Sequence, residues 1–142
     1  MSNDNYLEGQ IHQKVDTQNP PDGIDLSEIE IDQGTCFLNS YRVSKKYPNV
    51  KIVEGFIITV SKENKGIAMA HVWNQVSGTH FDVTNESIWK GREELSNNKE
   101  IRYTPLQEYS AENFKVGDEF QFSETTTSNV DAINGYLENL PT

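Results

Sequence analysis

Cysteine occurs once in the 142 residues, at Cys36, and basic residues are few: 12 against 22 acids. One cysteine excludes an internal disulfide and, by itself, a cysteine-based zinc site. The three histidines, His12, His71 and His80, lack metal-ligand spacing, so neither a metal nor a cofactor is expected. The shortage of lysine and arginine leaves a formal net charge of -10. Such a surface repels nucleic acid and anionic membranes, which removes both as expected partners. No apolar stretch approaches the ~18 residues of a membrane span. The first residues show neither the positive start nor the apolar run of a secretory signal. With one unpaired thiol, the expected compartment is the reducing cytoplasm.

What is present divides unevenly along the chain. Residues 1–32 hold Asp4, Glu8, Asp16, Asp22, Asp25, Glu28, Glu30 and Asp32 against Lys14 alone. Together with Asn19-Pro20-Pro21-Asp22-Gly23 this reads as an acidic, flexible arm. Ile24, Leu26, Ile29 and Ile31 are placed either to add a short strand or to lie along a groove. A single α+β domain is expected over 33–122, followed by a polar tail at 123–142. The tail has a weak amphipathic pattern at Ile133, Tyr136, Leu137 and Leu140, suited to a short helix.

Within the domain, Thr35 is a candidate N-cap for a helix over 37–47 that Pro48 closes. Residues 50–60 are β-branched and read as a strand, with Glu54-Gly55 marking a bulge or a close backbone approach. Strands are expected at 67–76, 79–84, 101–109 and 116–122, with a helical turn near 110–114. Residues 85–100 are polar, with Ile88, Trp89 and Leu95 suited to a short helix or an anchored loop. The fold class is therefore α+β: one helix carrying the cysteine, packed on a mostly antiparallel sheet.

Ser77-Gly78 suits a two-residue hairpin loop. That register pairs Val76 with Thr79, Asn74 with Phe81 and Trp73 with Asp82. Alternation then places His71, Trp73, Asp82 and Thr84 on one face, and Val72, Val76, Phe81 and Val83 on the other. His71 and Asp82 become diagonal neighbours. A cysteine at a helix start is favoured as thiolate by the helix dipole and by free backbone N–H groups. A Cys, a His and an orienting carboxylate are the parts of a thiol nucleophile and its base. The catalytic candidates are thus Cys36, His71 and Asp82, provided the helix lies over the His71 face. Gln33 is a candidate oxyanion donor and Trp73 a candidate wall for substrate. Against this stand plainer roles: a buried inert thiol, a packed histidine and a turn-stabilising carboxylate. His80 would replace His71 only in a shifted hairpin. Asn39, facing away from Cys36 on an ideal helix, reads as structural.

The run His71-Val72-Trp73-Asn74, then Gly78, then Phe81-Asp82-Val83-Thr84 resembles the transglutaminase-like branch of the papain-like cysteine protease superfamily. In that branch a cysteine heads an upstream helix, as Cys36 does here. The resemblance spans 33–84 and implies a papain-like or transglutaminase-like core. It also implies acyl transfer through a thioester: peptide hydrolysis, deamidation or crosslinking of a protein or peptide amide. This chain departs from the pattern at Phe37, where the family often has tryptophan, and in its short Cys-to-His stretch and tight hairpin.

Two other classes fit the composition. One is a non-catalytic acidic interaction or inhibitor protein, resembling small phage or bacterial inhibitors, with a basic protein as partner. The other is a degenerate scaffold that holds a small molecule without turnover. The interaction protein requires a buried, inert Cys36, whereas the enzyme requires a reactive one.

Overall fold

In a computed structural model, the described residues are 20–32, 35–60, 66–83, 100–115, 117 and 119–138. Helix α1 (Cys36–Lys46) opens at Thr35 and ends just before Pro48, with Lys45 and Lys46 favourably placed in its last turn. Thr35 occupies the N-cap position, but its hydroxyl donates to Asp32 O at 3.0 Å instead of capping the helix. Strands β1 (Lys51–Val60), β2 (Gly66–Val76), β3 (Thr79–Phe81) and β4 (Glu100–Tyr109) form one antiparallel sheet in the order β3-β2-β1-β4. Helix α2 (Glu124–Glu138) follows a 3-10 turn at Ala111–Asn113. The architecture is α+β.

The hairpin forms in the expected register, with Val76 opposite Thr79 and Asn74 opposite Phe81. Ser77 and Gly78 both take positive φ (51° and 83°), as a two-residue loop with the twist of its strands requires. Strand β3 is shorter than expected: it stops at Phe81, and Thr84 lies outside the described residues. Of the expected strand at 116–122, the described residues form none; Phe120 and Phe122 pack instead in an aromatic cluster with Phe37, Phe114 and Tyr109. The expected helix or loop over 85–100 falls almost wholly outside the described residues.

Central strand β1 explains why the two faces differ. Ile52, Phe56 and Ile58 face both helices: Ile52 packs with Val72 and Tyr41 of α1, Phe56 and Ile58 with Ala68 and Ile133 of α2. Val53 and Ile57 face the other way, into a cluster with Trp73 and Tyr103. Gly55 sits where β1 slips register against β4, and a Cβ there would overlap Thr104 O. Both expectations for this dipeptide, the bulge and the close approach, are met at one residue.

Helix α1 does not lie over the face that carries His71 and Trp73. It packs on the opposite one, against Ile52 and Val72, because that face of β2 presents Val72 and Val76 to an apolar helix stripe. Residues 24–31 form no strand; Ile24, Leu26, Ile29 and Ile31 pack beside Val43, Val50 and Phe81. Arg42 reaches Asp32 at 3.0 Å and Lys46 reaches Glu28 at 2.6 Å. Asn39, buried, bonds both the N–H and the carbonyl of Asp32, which is the structural role its direction on the helix implies.

Candidate active site

The site lies where β3 ends. From Gly66 to Trp73, β2 has no strand partner on its outer side among the described residues. Part of that edge is closed by α2, where Asn134 accepts from Ala68 N–H (2.7 Å) and donates to Ala68 O (2.9 Å), imitating a strand. Between these two closures stands His71, and the first residue of α1, Cys36, reaches it there.

His71 Nε2 and Asp82 Oδ2 are 2.7 Å apart, with the imidazole largely buried and the carboxylate 3% exposed. Burial disfavours a charged ring. The charge and hydrogen bond of Asp82, with smaller hydrogen-bond and charge contributions from Cys36, outweigh it and raise the imidazole from 6.5 to about 10. Imidazolium is therefore the favoured form, paired with the Asp82 carboxylate. Cys36 is partly exposed, and Cys36 and Phe37 both pack against the Tyr41–Ile52–Val72 cluster.

Three of the five expected site residues thus converge: Cys36, His71 and Asp82. Gln33 lies outside the described residues. Trp73 is fully buried, stacked near His71 (ring centroids 6.1 Å) and edge-on to Tyr103, so it forms the floor beneath the imidazole. Its indole N–H donates to His80 Nδ1 at 2.9 Å. That bond, together with the observed register, keeps His80 with the indole. Burial lowers the His80 pKa, partly offset by Glu108.

Tyr103 was not legible as a site residue. Its hydroxyl donates to Asp82 Oδ2 at 2.8 Å, the same oxygen that holds His71. The only sequence signal was its position in an apolar-facing strand slot, which suits a core tyrosine equally well. Among the described residues no group of three or more His, Cys, Asp or Glu is placed to hold a metal. No helix there is long and apolar enough to cross a membrane. No protein-family model, curated protein or solved structure matches the chain.

A second buried carboxylate lies apart from this site. Glu54 accepts hydrogen bonds from Tyr109 Oη (2.7 Å), Ser123 N (2.9 Å), Ser123 Oγ (2.8 Å) and Thr126 Oγ1. Ser123 immediately precedes α2, so the carboxylate of a strand residue caps the helix and meets the positive end of its dipole. Burial raises the Glu54 pKa, but the four donors prevail and the net shift is downward. Burial and Glu54 together push the Tyr109 phenol up to about 12. This carboxylate joins helix to sheet.

Proposed function

We propose that this protein is a cysteine-dependent acyl-transfer enzyme acting on an amide or peptide, with Cys36 as nucleophile, His71 as acid and base, and Asp82 as the group that orients His71. One observation carries the reading: His71 is held at 2.7 Å by Asp82 while Cys36, 35 positions earlier, adjoins the same ring. A histidine kept only for packing has no need of a buried carboxylate on one nitrogen and a thiol on the other side.

In the proposed reaction the Cys36 sulfur attacks the carbonyl carbon, and the proton from the thiol resides on His71. Backbone N–H groups at the head of α1 are placed to hold the developing oxyanion. His71 gives its proton to the leaving nitrogen as the C–N bond breaks, and a thioester remains on Cys36. Water or an amine then attacks the thioester. His71 takes the proton from that nucleophile, and the sulfur leaves as thiolate. The order helix-borne Cys, strand-borne His, then Asp after a tight turn supports a place in the transglutaminase-like branch of the papain-like fold.

Iodoacetamide alkylation of Cys36 across pH, in the native chain and in His71→Ala, tests the proposal. A reactive native thiol at about pH 6, where an isolated thiol is almost wholly protonated, with that reactivity lost in His71→Ala, supports it. A native thiol unreactive until unfolding sinks it. The charge of -10 would then favour the second reading, a binding protein for a basic partner, measurable as salt-sensitive association.

A further inference from the structure

We infer that Asn74 is a positioning residue that sets the Cys36–His71 geometry from the opposite face of the same strand. The inference rests on the reading of the site given above. His71 and Asn74 lie three residues apart on β2, so alternation points them to opposite faces. Asn74 is fully buried, and its Nδ2 donates to Ser40 O of α1 at 3.0 Å and to Lys51 O of β1 at 3.2 Å. Ser40 is one turn beyond Cys36 on the same side of the helix. One amide therefore locks the thiol-bearing helix to the strand that bears the imidazole.

The cost of this arrangement is visible. Among the described residues, neither Asn74 Oδ1 nor Ser40 Oγ, both buried, has a hydrogen-bond partner. A buried polar atom left unpaired is destabilising, so Oδ1 offsets part of what the two bonds from Nδ2 contribute. The asparagine bears that cost at the point where its amide fixes the approach of α1 to β2. Ser44 forms a separate tie nearer the helix end, from its Oγ to Val50 O at 2.6 Å, and serves as the comparison.

The test compares native protein, Asn74→Leu and Ser44→Ala by alkylation rate against pH, His71 ring titration by NMR, and thermal melting. Asn74→Leu is expected to stay folded, with a melting temperature lowered, as in Ser44→Ala, by the hydrogen bonds it loses. Its alkylation at about pH 6 should fall about tenfold to a hundredfold, as a small misplacement of reacting groups does, and its His71 titration should move down. Ser44→Ala should melt lower and keep the native pH profile. Asn74→Ala, which cannot overpack, gives the same readout should the leucine variant not fold. Asn74 variants with the native profile overturn the inference, as does an equal change in Ser44→Ala. An inert native thiol removes the enzyme reading and this inference with it. A reactive native thiol with unchanged Asn74 variants removes the inference alone.

Discussion

His71 and Asp82 meet at 2.7 Å although the ladder that brings them together ends one residue before Asp82, at Phe81. The end of the ladder matters because a continued strand would close the edge of β2 that Cys36 approaches. The carboxylate is freed from the pleat yet kept in place by donors that include His71 Nε2 and Tyr103 Oη.

Asp82→Asn should lower the His71 pKa, since the burial that opposes the charged ring would no longer be offset. The sign of the linked stability follows. A folded pKa of about 10 against 6.5 gives stability that is fully present below 6.5 and lost as pH rises through about 10. Native stability should therefore fall over that window, at up to ~1.4 kcal/mol per pH unit, and the Asn variant should flatten the slope. Urea melts at a series of pH values measure this. Equal slopes in the two proteins would refute it.

Tyr103→Phe removes one hydrogen bond to Asp82 and little volume. Bonds to a charged acceptor contribute about 1.5–3 kcal/mol. Cys36 alkylation at about pH 6 should drop roughly tenfold, less than in Asp82→Asn, while the fold persists. A fluorescence or circular-dichroism melt alongside the rate separates loosened orientation from lost structure.

Glu54 predicts acid sensitivity in a different place. Its folded pKa lies below the usual 4.5, so its stabilisation is present above that value and lost as pH falls through the depressed folded one. Amide hydrogen exchange in α2 should quicken at acid pH before that in β1 and β2. Glu54→Gln should bring this loosening to neutral pH at a cost of roughly 2 kcal/mol. Uniform exchange across both helices would count against a local cap.

Gly55→Ala should be the most damaging small substitution in the sheet. The new methyl would overlap Thr104 O and lie 2.9 Å from the Trp73 ring. Backbone cannot yield as a flexible side chain does, so a loss of at least about 3 kcal/mol is expected. Expression as insoluble protein, or a sharply lowered melting temperature, would be the readout; a near-native melt would show that β4 shifts away.

Local rules made much of this protein legible from the chain. Strand-like composition placed β1, β2 and β4 within a residue of their bounds. Ser77-Gly78 set the register that puts His71 diagonal to Asp82, and Glu54-Gly55 marked the bulge. These features follow from interactions spanning a few residues: backbone sterics, turn dihedrals and the period of two. The termination of β3 at Phe81, the absence of a strand among the described residues of 116–122, and the face chosen by α1 were decided elsewhere. So were the second bond to Asp82 from Tyr103, the cap that Glu54 supplies to α2, and the grip of Asn74 on Ser40. Their partners lie 21 to 72 positions apart. Such pairings depend on which surfaces meet once the sheet has closed, and a residue's chemical type carries no record of the distant carbonyl or hydroxyl it will face.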